Sequence, residues 1–574
     1  MSTFTGLNTM VRGIQMNQLS LNTVGHNIVN AGTDGYSRQS ANPVATMAEK
    51  RGSLYGALEV GTGVDALSLT RTRDVFADFQ FRQETTTKSY YETMAEGYDK
   101  LEAIFNDSGN TGIADALSDV FQAWSALSTE GPTAANRTTV IEKSKILCDT
   151  IHTVASQLQD QITAQYSEIS NDVDHINERL EKMAMLNKQI VAAEADGSMA
   201  NDLRDQRDLV ADDLANYFNL TITENELGAY QVVGNGTMLV TGFERLHLEY
   251  DEKGIPSSAF GVDYGIAEHP IKIKESDQNY SPQSGILKAR YDNIEDCKKQ
   301  IDYLANVSAY LMTALNDQHA AGYDMNGDTG NNFFGITDYE YTYEHDPKDK
   351  YNYITEKDTG GVSTKLSGIA IINALVVNKH FDDVGGYKLV AAASTYRDYD
   401  DNNEWVEYNA DSDMSEGGDN WIEWGNRTGD GTNAIYISEL FNMSFNDIVK
   451  KGRSNAAIIQ KYTLKDLNGN QVQDSEGKFT YITPLGYESV NTYYQKAMTQ
   501  IGVDAESVDN TVNQHEVIMT QIKNWRDSIS GVDWNEELTD MIKFQKAYQS
   551  CARCLTAMDE CLDRLVNNTG MVGR

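Results

Sequence analysis

Hydrophobic residues recur at helical spacing at both ends of the chain. Near the N-terminus they return every three or four positions, with interruptions at Gln18 and Gly25, which predicts one apolar stripe along a helix. This stripe consists of Phe4, Leu7, Val11, Ile14, Leu21 and Ile28. After Gly531 an unbroken heptad seam runs on with no proline or glycine before Gly570, which predicts a coiled-coil helix. The seam consists of Met541, Phe544, Tyr548, Cys551, Leu555, Met558, Leu562 and Leu565.

Both terminal stripes need a partner, because a narrow apolar seam on an otherwise polar helix is not buried by its own segment. The first helix is therefore predicted to pair with the last one, or each of them with copies in neighbouring subunits. Docking of both helices on a globular core would explain the pattern equally well. The two seams together are the predicted assembly surface.

The interior of the chain also has helical segments. Residues Thr133–Asp196 contain no glycine or proline and keep helical spacing, which predicts one very long helix or two stacked ones. Fifty such residues would span ~75 Å, so the molecule should be elongated. The segment Val503–Ser530 is predicted to be the antiparallel partner of this long helix, and a further helix is predicted over Gly285–Asn316.

Two stretches have sequence patterns typical of β-strands. From Leu220 to Ile273 short alternating runs are separated by turns at Gly234–Gly236 and Glu252–Gly254, which predicts a small antiparallel sheet. Residues 338–486 are rich in tyrosine, aspartate, asparagine and glycine, with a hairpin turn predicted at Asn468-Gly469. This stretch is interpreted as one or two inserted β-rich domains that project from the helical body.

The predicted fold class is a multidomain α+β protein, elongated, with a long α-helical coiled-coil core formed by the N- and C-terminal segments and with inserted β-rich domains. The predicted domains are the terminal assembly helices at 1–40 and 534–574, a long-helix body at 41–215, 282–335 and 488–533, a small β domain at 216–281, and a variable β-rich insert at 336–487.

Composition excludes several functional classes. The 574 residues include 85 acidic and 47 basic side chains, a formal net charge of -38, which repels polyphosphate and anionic membrane. We therefore expect neither nucleic acid nor membrane as a partner. Five cysteines are too few for a disulfide framework, and the longest apolar stretch, Ile369–Val377, is far shorter than a membrane span. No cleavable signal peptide is predicted, so the chain either stays in the cytosol or leaves by a route that removes nothing.

Several short motifs suggest metal chemistry but lack essential parts. His515-Glu516 begins a zinc-protease helix motif, but Met519 stands where the second histidine would be, so a solvated helix surface is predicted. Cys551 and Cys554 have redox or zinc-ligand spacing but lie inside the heptad helix, so Cys551 is interpreted as a core residue.

The segment Asp324–Asp328 alternates oxygen ligands as a calcium loop does. Such a loop would also need a glycine at Thr329 and a glutamate at Gly335, so a turn closed by Asx side chains is predicted instead. With no catalytic constellation in view, we predict a non-enzyme without cofactor or metal. An alternative reading is a secreted adhesin or enzyme whose activity lies on the 338–484 insert. That reading depends on the acidic segment 394–431 and on its tryptophans, Trp405, Trp421 and Trp424.

The segment from His26 to Gln39 resembles the N-terminal signature of flagellar rod, hook and hook-associated proteins, a helix ending in Asn-Ile-x-Asn followed by a loop to Gly-Tyr-Ser/Thr-Arg. The matching positions are Asn27, Asn30, Gly35, Tyr36 and Arg38, and His26 replaces the family's usual asparagine. Within this superfamily the chain is most similar to the hook-associated protein 1 family. That similarity is carried by residues 202–208, 285–287, 316–328, 530–537 and 544–548. It covers residues 1 to about 335 and 485 to 574, but not 338–484.

The resemblance implies a structural protein at the junction between hook and filament, with the hook protein itself or another axial protein as the alternative. It implies export through the flagellar type III apparatus without a cleaved signal, and terminal helices that are disordered in the free monomer. The implied partners are further copies of the chain in a ring, the hook protein, a second junction protein (hook-associated protein 3) and a cytosolic export chaperone on the C-terminal helix. Burial of the seams between subunits would then drive polymerisation.

Overall fold

A computed structural model gives the fold of most of the chain. The residues that it describes are 4–53, 56–105, 112–251, 270–329, 331–336, 339–344, 353–399, 405–409, 430–450, 461–465, 471–473, 479 and 481–567. Among these residues, no helix has both the length and the apolar character that a membrane span requires.

The chain begins with helix α1, followed by a β arm that the sequence analysis placed within the helical body. Helix α1 spans Phe4–Asn30. The β arm, residues 39–71, comprises β1 (Gln39–Ala45), β2 (Glu49–Ser53), β3 (Gly56–Val60) and β4 (Val64–Arg71). Strand β1 pairs antiparallel with β4, and β2 pairs antiparallel with β3, so the arm is a long two-stranded ribbon. Both β1 and β4 contact α1, so the ribbon lies along this helix.

A bundle of long helices forms the body. Its helices are α2 (Val75–Phe105), α3 (Ile113–Thr129), α4 (Ala134–Ala193), α5 (Asn201–Leu214) and α6 (Gly285–Tyr310), with a π-helical turn at Leu311–Leu315 and α7 at Asn316–Ala320. The prediction of one very long helix is confirmed by α4, whose 60 residues span ~90 Å. The Thr133 hydroxyl accepts a hydrogen bond from the Asn136 N–H and caps its first turn.

The apolar stripe predicted on α4 is buried throughout. Its members are Ile151, Val154, Leu158, Ile162, Ile169, Val173, Ile176, Leu180, Met183 and Ile190. Helices α3, α5 and α6 pack around α4 and cover this stripe, which makes α4 the centre of the main hydrophobic core.

The segment predicted to form one small antiparallel sheet contains two such sheets. Strands β5 (Leu220–Glu224), β6 (Tyr230–Gly234), β7 (Thr237–Thr241) and β8 (Glu244–Arg245) form an antiparallel sheet in that order. Strands β9 (Leu248–Tyr250), β10 (Ile271–Ile273) and β11 (Gln278–Asn279) form a second sheet. The predicted turn at Gly234–Gly236 is present, with Asn235 and Gly236 at positive φ as a two-residue hairpin turn requires. The turn predicted at Glu252–Gly254 lies outside the described residues.

The insert contains helices as well as strands. Its described elements are β12 (Glu340–Glu344), β13 (Tyr353–Lys357), β14 (Ser363–Ser367), α8 (Ile369–Ala374), β15 (Thr395–Tyr399), β16 (Trp405–Asn409), α9 (Thr432–Glu439) and α10 (Phe445–Lys450). Strands β12–β14 form one antiparallel sheet, and β15 and β16 form another. The turn predicted at Asn468-Gly469 and most of the acidic segment 394–431, with Trp421 and Trp424, lie outside the described residues.

Part of the insert packs into the body instead of projecting from it. Helix α8 contacts α6, and α9 contacts α3, so both continue the main hydrophobic core. The buried Arg137 of α4 donates hydrogen bonds to the carbonyl oxygens of Pro132 and Val390. The Ala391 N–H donates to Nε2 of His319 at 2.9 Å, which ties the same segment to the end of α7.

The chain returns through α11 (Val490–Ser530) and ends in α12 (Trp534–Asn567). The prediction that Val503–Ser530 pairs with the long helix is wrong, because α11 packs along α2. The apolar face of α4 is already covered by α3, α5 and α6, whereas α2 offers α11 a free side. Helix α12 packs against α1, so the first of the predicted alternatives, pairing of the first helix with the last, is observed within one chain.

Candidate assembly site at the joint of the terminal helices

Asn27 is the centre of the joint between the N-terminal segment and α12. Its side chain is only 1 % exposed, and each of its polar atoms has two partners. Oδ1 accepts hydrogen bonds from the Gln39 N–H (3.0 Å) and the Tyr36 hydroxyl (2.7 Å). Nδ2 donates to the Gln39 carbonyl (2.9 Å) and to Glu537 Oε2 (3.0 Å). Because this satisfies the whole amide, Asn27 fixes the loop after α1 against the first turn of α12.

The loop that follows α1 needs its motif residues for its shape. Gly35 has a φ of +75°, a conformation that side chains with a Cβ rarely adopt. Asn30 donates to the His26 carbonyl at 3.0 Å and so satisfies a carbonyl in the last turn of α1. Burial raises the pKa of Tyr36, and the carboxylates of Asp202, Asp205 and Glu537 raise it further, so the hydroxyl remains a donor to Asn27.

Arg38 extends the joint to the end of α11. Its backbone N–H donates to the Ser530 carbonyl at 2.9 Å, next to the Gly531 break between the last two helices. Its guanidinium reaches Glu537 (2.6 Å) and Glu536 (3.1 Å), and Glu537 is 1 % exposed. One buried carboxylate, that of Glu537, therefore binds Asn27 and Arg38 together. Such charge-assisted hydrogen bonds are stronger than neutral ones.

The carboxylates of α5 lie directly beneath this loop. Asp205, Asp208 and Asp212 are spaced three and four residues apart, which places them on one face of the helix. Asp205 accepts from the backbone N–H (2.9 Å) and the hydroxyl (2.8 Å) of Ser37. The motif loop is thus bonded to the body as well as to α12.

Four arginines and four aspartates form what we call the arginine–aspartate network. Its members are Arg71, Arg73, Arg82, Arg526, Asp78, Asp205, Asp208 and Asp212. They come from β4, the segment before α2, α2 itself, α5 and α11. The network therefore connects four elements beside the joint: β4, α2, α5 and α11.

Asp208 is the most enclosed carboxylate of this network. It contacts Arg71 at 2.6 Å and Arg82 at 3.2 Å, and it accepts from the Tyr230 hydroxyl at 2.7 Å. Burial alone would raise the pKa of Asp208, but the positive charges of Arg73, Arg71 and Arg82 hold it far below its usual range. The carboxylate is therefore ionised throughout the neutral range, and losing its charge would leave three arginines without their shared partner.

The predicted seam of α12 faces α1 but is only partly buried. Met541, Phe544, Cys551, Leu555, Met558 and Leu562 are partly buried, Tyr548 is exposed, and the side chains of Phe4 and Leu565 lie outside the described residues. On α1, Leu7, Val11, Ile14, Leu21 and Ile28 are also only partly buried. The assembly role of both seams stays a prediction.

The face of α1 that touches α12 is made of small and polar residues next to the predicted stripe. A Cβ added at Gly6 would lie 3.3 Å from Met558, and one at Gly13 would lie 3.2 Å from the Cys551 sulfur. Asn17 also reaches that sulfur, at 4.0 Å. Positions 6, 13, 17 and 27 share one heptad stripe, displaced by one residue from Leu7, Val11 and Ile14. Small residues allow close helix approach, so counting apolar positions selected the neighbouring face.

The motifs that suggested metal chemistry have structural roles. His515 is not solvated as predicted, because its Nδ1 lies 2.5 Å from Glu84 and its ring stacks on Tyr91, both on α2. The Asx turn is confirmed, since Asp324 Oδ1 accepts from the N–H groups of Asn326 and Asp328. The five cysteines are free thiols. Among the described residues, no group of three histidine, cysteine or acidic side chains has a metal-binding arrangement.

Sequence reasoning identified Asn27, Tyr36 and Arg38 but missed the acidic residues that complete the joint and its surroundings. Glu537 was part of a family-like segment without an assigned role, and Asp205 and Asp208 lay in another. The three-to-four spacing of the acids on α5 was the available signal. Their arginine partners are more than a hundred residues away in sequence, so no local pattern could pair them.

All of the comparisons with known proteins match flagellar proteins. Residues 98–334 match the model of the flagellar hook-associated protein FlgK helical domain, and residues 527–568 match that of the flagellar basal body rod FlgEFG protein C-terminal region. Flagellar hook-associated protein 1 of Bacillus subtilis is 24% identical and is aligned over 100% of both chains. Its Escherichia coli counterpart is 26% identical over 98% of this chain and 99% of that one. The structure of the flagellar hook junction protein FlgK from Burkholderia pseudomallei shares the fold, with a TM-score of 0.53 at 15% identity, over 79% of this chain and 100% of that chain.

Proposed function

Because this chain belongs to the flagellar hook-associated protein 1 family, we propose that it is a structural adaptor that joins the hook of the bacterial flagellum to its filament. The observation that carries the proposal is the state of the terminal helix pair, α1 and α12. After Glu537, none of the described side chains of α12 is fully buried, although its heptad seam lies against α1. The pair therefore leaves part of both apolar seams exposed, and this surface is available to neighbouring subunits.

In this proposal the chain assembles into a ring of copies, with the hook protein below and hook-associated protein 3 above. The joint gives the terminal helix pair a fixed direction relative to the body. Asn27, Arg38 and Glu537 bind the two helices to each other and to the end of α11, and Ser37 binds the same loop to Asp205 of α5. A fixed direction is what an adaptor needs, since each copy must present its helices to the ring at the same angle.

Export and protection of the seam complete the proposal. The chain leaves the cell unfolded through the flagellar type III apparatus without a cleaved signal, and the body refolds outside. The five free cysteines fit this route, since folding depends on no disulfide. Before export a small cytosolic chaperone covers α12, because an exposed apolar stripe would otherwise associate prematurely.

Deletion of the gene tests the function. The expected result is cells with bare hooks that release flagellin into the medium, restored by the intact gene. Filaments attached to hooks in the absence of this chain would refute the adaptor role. Immunolabelling separates it from a hook protein, because an adaptor gives a single band between hook and filament, whereas a hook protein is labelled along the whole hook.

A further inference from the structure

An exposed aromatic patch lies on the body next to the joint. It consists of Val75, Phe76 and Phe79 at the start of α2 and Trp525 near the end of α11, whose side chains are 83, 57, 42 and 37 % exposed. The rings of Phe76 and Trp525 meet edge to face at 6.0 Å between centroids. Aromatic side chains grouped on a surface are typical of protein interfaces, whereas single exposed ones are common everywhere.

A hollow of about 490 Å³ adjoins this patch. Val75, Phe76 and Phe79 line one side of it, and Leu220 and Ile222 of β5 line another. Asp74 and Arg82 also line the hollow, but Asp74 accepts a hydrogen bond from the Phe76 N–H and Arg82 is paired with Asp208 and Asp212. Most of the remaining wall is therefore apolar. A hollow of this kind favours aliphatic side chains, because it offers them contact area with few polar groups left unpaired.

The β arm carries aliphatic side chains that have nothing to bury them. Met47 is 94 % exposed, Leu67 is 71 % exposed, and Val44 and Val60 are 40 and 38 % exposed. Leu67 sits where the pairing of β1 with β4 shifts register, so its side chain is displaced from the regular ladder. The arm therefore carries exposed apolar side chains that could fill the hollow.

The arm of the same chain cannot fill the hollow. Its base is fixed at the joint, where the Gln39 backbone binds Asn27, and its far part lies against Thr9, 3.3 Å from a Cβ placed on Gly63. Thr9 and Asn27 are separated by ~27 Å along α1. Met47, whose neighbour Thr46 bonds Gly63, is thus at the far end of α1, while the aromatic patch is beside the joint.

Charge also favours the arm as the element that approaches another copy. The whole chain has a net charge of -38, so most surfaces of two copies repel each other. Residues 39–71 contain three acidic and three basic side chains and are neutral. A ribbon with no net charge can therefore dock on a second copy without that net repulsion.

We propose that the β arm of one copy docks, through Met47 and its aliphatic neighbours, into the hollow beside the aromatic patch of the next copy. The contact is heterologous, since two different surfaces of the chain meet, and such contacts close into rings when the rotation allows. The proposal deepens the adaptor function and depends on it, because it needs copies side by side in a ring.

Disulfide trapping in isolated flagella tests this contact. The full chain carries Met47→Cys and Phe79→Cys together, with Cys551, Cys554 and Cys561 replaced by serine. Cys148 and Cys297 stay, because burial raises the pKa of each thiol to about 12 and keeps it unreactive. A disulfide requires Cα atoms about 4.4–6.8 Å apart, so an oxidant links only residues that touch. The expected product is a ladder of linked chains on denaturing gels.

Two controls identify the origin of the links. A mixture of chains with only Met47→Cys and chains with only Phe79→Cys should give linked pairs and no ladder. The matched control combines Met47→Cys with Val384→Cys, a fully exposed position on the insert, and should give no link. Flagella that contain the chain but show no more linkage than this control would overturn the arm contact and leave the adaptor function intact. Absence of the unmodified chain from flagella would refute both.

A charge exchange gives an independent readout. Met47→Lys or Phe79→Glu alone should lower incorporation into flagella by about tenfold or more, since each places a charge in an apolar contact. The two changes in one chain should restore most of it, because the charges then meet as a pair. Two single variants that incorporate as well as the unmodified chain would contradict the proposal.

Discussion

The helical body and the terminal helix pair have similar hydrophobic periodicity, but their apolar stripes are buried to different degrees. On α4 the stripe that contains Ile151, Leu158 and Ile176 is fully enclosed by three neighbouring helices. On α12 an equally regular seam has one neighbour, α1, and stays partly exposed. Periodicity therefore reports which face of a helix is apolar, whereas the number of helices that cover it depends on the rest of the chain.

The joint between these two regions is polar, and this has a mechanical consequence. Hydrogen bonds and ion pairs depend on direction. The arginine–aspartate network and Asn27 therefore fix the angle between the terminal helix pair and the body more strictly than a layer of apolar contacts would. Apolar surface is instead kept for the body core and for the seams. The following predictions test this division, in order of their expected effect on the stability of the body.

Removal of the central charge of the joint should have the largest effect. Asp208→Asn leaves Arg71, Arg73 and Arg82 buried without their shared carboxylate, which should cost about 3–5 kcal/mol of unfolding free energy. Urea denaturation monitored by circular dichroism measures it. The matched control is Asp213→Asn on the same helix, whose side chain is 53% exposed, and it should change stability by less than about 0.5 kcal/mol. Equal effects of the two changes would mean that the network contributes no more than surface charges do.

The same leucine deletion in each region compares their packing directly. Leu158→Ala on α4 empties a site with 0% exposure and should cost about 3 kcal/mol, from lost burial and the cavity left behind. Leu555→Ala on α12 removes a partly exposed side chain and should leave the urea midpoint of the body unchanged. If both variants lower this midpoint equally, the terminal helices belong to the body core and the comparison fails.

The sequence was sufficient where an element is explained by its own apolar period, as in α4, α12 and the β5–β8 sheet. It did not reveal which residues of α1 meet α12, because small and polar residues, Gly6, Gly13 and Asn17, take part in that contact. It also failed for the β arm, whose mixed residues have neither a helical nor a strict strand period. The sequence also did not predict which helices pair over long distances, because the pairing of α11 with α2 depends on which faces the other helices leave free.

Acid should loosen the attachment of the insert to the body. Burial lowers the pKa of His319 to about 4, with Arg137 acting in the same direction, and its two ring nitrogens bond Asn331 and Ala391. Since the ordinary histidine pKa is about 6.5, the unfolded chain binds more protons than the folded one between pH 6.5 and 4. Stability contributed by neutral His319 is thus complete above pH 6.5 and falls as pH decreases, by about 2 kcal/mol at pH 5.

Denaturation at pH 7 and pH 5 measures this slope, and His319→Gln is the matched variant. A glutamine side chain can both donate and accept hydrogen bonds at this position but does not titrate. The loss of unfolding free energy between pH 7 and pH 5 should therefore be smaller in His319→Gln, by the contribution of His319. Asp208 does not interfere, because its pKa lies below the usual value of about 3.9 and its contribution is lost only in stronger acid. Identical slopes for the two proteins would show that His319 is not the titrating group.

The smallest effect on the body, and the largest on assembly, is expected from a charge in the middle of the α12 seam. Leu555→Asp should leave the melting temperature of the body unchanged, because this residue lies outside the core of the body. It should abolish binding of the proposed export chaperone and the proposed junction assembly, because an unpaired carboxylate buried between helices costs several kcal/mol or must be protonated.

Three measurements on Leu555→Asp must therefore give one pattern: normal melting, no chaperone in a pull-down and no filament on the hook. Arg553→Asp is the control, since it introduces the same side chain at an exposed position of α12 two residues away. It should keep all three properties. Global unfolding of Leu555→Asp would instead show that α12 supports the body, and the terminal helix pair could then no longer be an assembly element held apart from the body by the polar joint.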